Sequence, residues 1–271
     1  MRKSNTLRTV LAGVVFLCMA EPTSAQSDLG VDTWDFQFTP YFWLAELDGD
    51  STLSGIMGSA ELEFSELWDF VDFGASGRLE AWNGKWGFLV DASYLDLGAD
   101  YTTSVGPAAI DTEVDLRQTI VDIGLAYRLI HKPVGRDGTQ SLALEPLGGV
   151  RYEYLKQEAK LNVAAGPFAA GTTIGGDEEW VEPFVGVRLT WAISETLAAA
   201  IRGDIGGFGI GSASDLTWNL LAGVDWQFRK NMSLKAGYRI LDIDYERGSG
   251  TSAFGLDAQM KGPILGLSIY F

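Results

Sequence analysis

Between Leu216 and Phe228 the side chains alternate in kind at every step. Leu216, Trp218, Leu220, Ala222, Val224, Trp226 and Phe228 share one face, and Thr217, Asn219, Leu221, Gly223, Asp225 and Gln227 share the other. Only an extended strand turns successive side chains to opposite sides, so this segment is a strand with one wholly apolar and one mostly polar face. The format recurs with Trp34, Phe36, Phe38, Pro40, Phe42 and Leu44 set against Asp35, Gln37, Thr39, Tyr41 and Trp43. It recurs again with Val181, Pro183, Val185, Val187, Leu189 and Trp191 against Glu182, Arg188 and Thr190.

Extending this reading gives strands near 33–47, 73–82, 86–99, 115–129, 141–158, 179–193, 197–207, 215–228, 233–246 and 256–271. Their connections alternate. Short ones fall at 83–85, 130–140, 194–196 and 229–232, and longer polar or Gly-rich ones at 48–72, 100–114, 159–178, 208–214 and 247–255. Short turns at one end and long loops at the other are the pattern of a transmembrane antiparallel up-and-down β-barrel in an outer membrane. The expected fold is therefore all-β, about ten strands, with eight and twelve the neighbouring even counts. Trp82, Trp86, Tyr127, Trp191, Trp226, Phe228 and Phe271 lie beside the short turns or at the terminus, where an interfacial aromatic girdle is expected.

Residues 1–25 read as an export signal. Arg2, Lys3 and Arg8 precede the apolar run Val10 to Ala20, and Thr23-Ser24-Ala25 supplies a cleavage site. Residues 26–271 are then a single barrel domain, and the outer membrane is the expected location. The net charge of −16 becomes more negative once the leader removes three bases and one acid. An acidic chain repels phosphate backbones, which excludes nucleic acid as a partner. The sole cysteine, Cys18, lies in the leader, so the exported chain has no disulfide, no thiolate metal ligand and no cysteine nucleophile.

On the polar faces stand Arg78, Glu80, Asp91, Asp122, Arg128, Glu145, Arg151, Glu153, Glu182, Arg188, Arg202, Asp204, Asp225, Lys235 and Arg239. A charge facing lipid near the bilayer midplane costs roughly 2–4 kcal/mol, so these side chains belong in the lumen as a charge network. The one histidine, His131, falls in a short connection. No catalytic residue, cofactor or metal site is expected. Asp48-Gly49-Asp50-Ser51-Thr52 opens like a calcium loop, but Leu53 and Ser59 occupy its glycine and glutamate positions. The glycines of 206–211 follow no strand-to-helix pattern and lack the Lys-Ser/Thr of a phosphate loop. Residues 59–72 admit two readings. After alternating Ala60 to Phe64, Ser65 can cap a short helix that plugs the lumen, or the segment is a loop whose aromatics pack on the rim.

At the chain end Leu265, Leu267, Ile269 and Phe271 alternate with Gly266, Ser268 and Tyr270. Here the sequence resembles bacterial outer-membrane β-barrel proteins, whose last strand commonly ends in phenylalanine and is read by the barrel-assembly machinery. Gly266, Ile269 and Phe271 match that signal, whereas Ile264 stands where a polar residue is usual. The general pattern is similar to small surface proteins related to opacity proteins and to the membrane domain of outer membrane protein A. The resemblance implies outer-membrane lipid and lipopolysaccharide as surroundings. With ten strands enclosing little more than their own side chains, the expected role is non-enzymatic, a narrow passive pore or an envelope-structural element. A surface adhesin or receptor acting through 48–72 and 159–178 is the alternative, and a soluble barrel with a ligand cavity belongs to a third class.

Overall fold

The computed structural model describes residues 33–271 apart from 54, 106–107, 136–138 and 166–167, so the expected leader lies outside the described residues. The strands are β1 (Asp35–Trp43), β2 (Glu46–Leu53), β3 (Ile56–Leu62), β4 (Val71–Asn83), β5 (Trp86–Val105), β6 (Ala108–Tyr127) and β7 (Ile130–Val134). They continue as β8 (Gln140–Ala165), β9 (Phe168–Ala192), β10 (Leu197–Gly207), β11 (Leu216–Arg229), β12 (Met232–Arg247) and β13 (Phe254–Tyr270), with one α-helix among the described residues, α1 (Phe64–Phe70), and a 3-10 turn at Gly250–Ser252.

Ten of these strands form a ring of antiparallel neighbours in the order β1-β4-β5-β6-β8-β9-β10-β11-β12-β13, and β1 pairs with both β4 and β13 to close it. The closure is sealed at its end by reciprocal backbone bonds of 3.0 Å between Phe36 and Phe271, whose rings stack 5.7 Å apart. The ring is an up-and-down barrel of ten strands, as the alternation of connections predicts.

Two segments read as loops are β structure instead. Residues 100–105 with 108–114, and 159–165 with 168–178, continue the β5–β6 and β8–β9 ladders, and β8 alone runs 26 residues. Their small and polar side chains on both faces lack the oily alternation that marks a lipid-facing strand. Cross-strand pairing nevertheless satisfies their backbone groups, which open loops would leave to water. Residues 48–72 likewise hold the β2–β3 hairpin, which pairs with the far part of β13, followed by α1. The helix starts at Phe64, one residue before the expected Ser65 cap, and its first amide-to-carbonyl bond runs from Leu67 N–H to Glu63 O at 2.9 Å.

The outward faces carry Phe36, Phe38, Phe88, Ile123, Leu125, Val150, Val185, Leu220 and Leu265, all exposed, as the alternation requires. Trp86, Trp191, Trp226, Phe228 and Phe271 are exposed beside the short turns. Trp82 is the exception. It turns into the lumen, where Arg128 lies 4.4 Å over its ring and its N–H reaches Glu80 Oε2 at 3.2 Å.

Candidate functional site

Along β8 and β9 the lumenal charges fall at two heights, with an apolar layer between them. Nearest the short turns, Arg188 spans β9 to β4 and β8, donating to Glu80 at 2.8 and 3.0 Å and to Glu145 at 2.7 Å, while Arg128 reaches Glu145 at 3.1 Å. Above them Leu89, Ala126, Leu147 and Phe184 pack as a buried apolar plug. A Cβ on Gly124 would stand 3.2 Å from Phe184 Cζ, so the ring fits because that position is glycine.

The upper layer is centred on Arg151, which is fully buried. Its Nε and Nη2 donate to Asp122 at 2.7 and 3.1 Å, Nη2 also donates to Asp204 at 3.0 Å, and Glu182 lies 3.7 Å from Nη1. Arg202 donates to Asp204 at 2.9 Å and to Asp122 at 3.2 Å, so two guanidinium groups and two carboxylates form a closed square. Asn219 donates to Asp204 at 2.8 Å, and Ser214 and Thr217 donate to Glu182. Both guanidinium groups sit over the Phe184 ring, at 5.4 and 5.7 Å.

Two further pairs line the lumen. Arg78 pairs with Asp91, which also accepts from the Tyr41 hydroxyl at 2.6 Å, and Lys235 pairs with Asp225, which accepts from Tyr270 at 3.1 Å. Arg239 donates to Asn219 Oδ1 at 2.9 Å and covers the Trp43 ring at 4.6 Å, with no carboxylate in ion-pair range among the described residues. Glu153 is buried with neither carboxylate oxygen hydrogen-bonded among the described residues.

Beyond Glu153 the lumen is mostly apolar, with Gln118 and Gln157 buried among the apolar side chains. Ile120, Leu155, Trp180, Leu241, Ile243, Tyr245, Leu256 and Met260 form one cluster, with Trp180 stacked on Tyr245 at 4.0 Å and Trp43 packed against it. Sequence parity held the signal for this layer, because Leu241, Ile243 and Tyr245 share the face of Lys235 and Arg239, and Trp180 that of Glu182. On the exterior of the long-hairpin end, acids face acids across the ladder. Asp257 stands opposite both Asp244 and Asp50, and Asp48 opposite Glu61. Burial, together with Asp257, Asp215, Glu246 and Asp242 beside it, raises the Asp244 carboxyl above the ordinary aspartate range. His131 is exposed on β7, opposite Ala143.

This is the fold of the bacterial outer-membrane β-barrel proteins. Neither a family model nor the sequence of a curated protein matches the chain. Among solved structures it is similar to the outer membrane protease OmpT from Escherichia coli, at 8% identity and TM-score 0.50, over 89% of this chain and 97% of that one. It is also similar to the translocator domain of the autotransporter NalP from Neisseria meningitidis, at 14% identity and TM-score 0.39, over 88% and 89%. A third is the attachment invasion locus protein Ail of Yersinia pestis, at 12% identity and TM-score 0.29, over 89% and 100%. At such identities the likeness concerns the fold.

Proposed function

We propose that the chain is an integral protein of the bacterial outer membrane with a non-enzymatic role, a barrel whose closed lumen supports the envelope and passes ions only when its charge network rearranges. The observation that carries this is the square of Arg151, Arg202, Asp122 and Asp204, each buried and each bonded across the lumen rather than to a wall neighbour alone. The apolar plug beneath it supports the same reading of a closed lumen. In this reading residues 1–25 direct export, the short turns face the periplasm, and lipid and lipopolysaccharide surround the apolar band. The assembly machinery reads Gly266, Ile269 and Phe271 on β13.

Reconstitution in planar bilayers tests the closed lumen. The expected record is brief, small openings without a steady current. Arg188→Ala should bias those openings toward cations, because Glu80 and Glu145 lose their shared partner and negative rings favour cation entry. A large steady current insensitive to Arg188 and Arg151 substitutions would overturn the reading.

A surface-binding role is the second reading, favoured by the height of β8 and β9. At ~3.3 Å per residue and a tilt near 40°, the 26 residues of β8 rise roughly 65 Å, against an apolar band of about 25 Å. The excess stands outside as a paired ribbon. Shortening 159–175 should leave the barrel folded and abolish attachment to a surface partner. Attachment unchanged by that deletion would exclude this ribbon as the binding element.

A further inference from the structure

Above the charged layers the wall is interrupted. The β1–β4 ladder stops at Tyr41 and Ser76, after which Phe42 and Trp43 pair only with β13 and Val71 to Ala75 only with β5. In a bilayer an unpaired strand edge is costly, and closed barrels avoid one. The interruption is built in at the bend between β1 and β2. There Leu44 N–H bonds to Pro263 O at 2.9 Å, and a Cβ on Gly262 would lie 2.0 Å from Leu44 O.

Behind the interruption lies a cavity of about 770 Å³, within the range that takes small ligands. On β1 and β4 it is lined by consecutive residues, Tyr41 to Ala45 and Val71 to Ser76, which belong to both faces of each strand. The cavity therefore reaches both edges of the break. Its depth is set by Phe73, whose ring lies 5.8 Å from Tyr94 and is exposed on the outward side, as is that of Phe42. Inside, Leu95, Leu97, Leu116, Ile120, Leu155 and Met260 make the walls apolar, and α1 covers the space with Leu67 buried against it. The carboxylates on its lining are Glu46, Asp50, Asp72, Asp115 and Glu158, and no Lys or Arg lines it among the described residues. Lys160 bridges Asp115 and Glu158 from outside, Lys261 stands opposite Glu46 in the ladder and Asp50 is turned to the exterior beside Asp257, which leaves Asp72, exposed at the break, to set the sign.

We infer that this cavity is a binding site for an apolar molecule with a neutral or cationic end, which enters sideways from the outer leaflet through the break between β1 and β4. The site stands on the cavity itself. The lateral route rests on the membrane placement proposed above.

The refolded full chain is titrated with the neutral fluorophore N-phenyl-1-naphthylamine in phosphatidylcholine nanodiscs and, separately, in a lipid-free polymer belt, with protein-free samples subtracted. A chain that refused the bilayer would still answer the binding question in the polymer while failing the placement. The expected result is saturable fluorescence, displaced by dodecyltrimethylammonium at concentrations about ten-fold below those needed with dodecyl sulfate. Ser93→Trp and Leu116→Trp fill the cavity from different strands, and each should weaken binding about ten-fold or more while keeping the native strand spectrum. Gly74→Trp blocks the break, where a Cβ meets only Leu95 Cδ1 at 3.7 Å and Tyr94 O at 3.9 Å. It should slow association in discs by a larger factor than it weakens affinity. Absence of a saturable signal, equal displacement by both surfactants, or unchanged affinity in both folded Trp variants would overturn the site. Unchanged association in the Gly74 variant would overturn the route.

Discussion

Arg151 holds Asp122 and Asp204 by direct bonds and keeps Glu182 within 3.7 Å, all with almost no solvent contact. Removing one partner of a buried pair strands the others, at a cost of about 3–5 kcal/mol. Arg151→Ala should therefore lower the urea midpoint of unfolding far more than loss of Arg117, whose bridge to Asp96 is solvent-exposed. Equal midpoints would mean that the lumenal layer contributes little to folding. Glu153→Gln should act oppositely, leaving the midpoint unchanged or raised. It discharges a buried carboxylate for which the described residues provide no hydrogen bond. The inward direction of both residues was legible from parity alone. Their unequal surroundings were not, because partners come from strands 29 and 53 residues away, whose register depends on turn geometry. Trp82 marks the same limit. Nearness to a short turn suggested an interface, whereas its parity with Arg78 and Glu80 already assigned it to the lumen.

The elements that read least clearly are those beyond the apolar band, where neither face needs to be oily. Tyr101 to Val105 and Leu161 to Ala165 carry β-branched and small residues on both sides, so period two disappears while strand pairing persists. The β2–β3 hairpin was hidden for a related reason, since Asp48-Gly49-Asp50 suggests a turn in isolation but forms a strand against β13. That pairing puts Asp50 and Asp244 on either side of Asp257, and directly opposed like charges destabilise a ladder. Asp257→Asn should raise the thermal midpoint of this region by the equivalent of about 0.5 kcal/mol, read by hydrogen exchange of β13 amides. The pH dependence has a definite sign. Folding raises the Asp244 carboxyl, so its contribution is fully favourable below the unfolded aspartate value and is lost as pH rises through the folded one. Protection of this exterior ladder should increase on acidification, and the increase should shrink in Asp257→Asn. A ladder equally protected across the carboxylate range would contradict the electrostatic account.

At the scale of the whole molecule, ten strands followed from counting connections, but nothing in the chain's local pattern says how the ring is joined. That junction lies between residues 35–43 and 264–270, the two ends of the described chain, and it is the pairing with the largest loop to close. Its register, from Gln37 opposite Tyr270 to Trp43 opposite Ile264, is reinforced inside by Thr39 and Ser268 at 2.7 Å and by Gln37 donating to Ser268 at 3.1 Å. Outside, Phe271 stacks on Phe36, which in turn stacks on Trp34 at 6.1 Å. Deleting Phe271 removes two backbone bonds and the terminal ring at once, so the last turn of the seam opens to water and lipid. The folded yield in liposomes, read as the heat-modifiable band, should fall severalfold. Phe271→Ala should recover part of the loss, because the backbone bonds return without the stack. Phe36→Ala should resemble Phe271→Ala in purified liposomes, since both delete one side of the same contact. In cells the two should diverge if the machinery reads the terminal ring itself, with Phe271→Ala accumulating less folded protein than Phe36→Ala. Equal accumulation in cells would confine the role of Phe271 to the seam and remove the ground for treating it as an assembly signal.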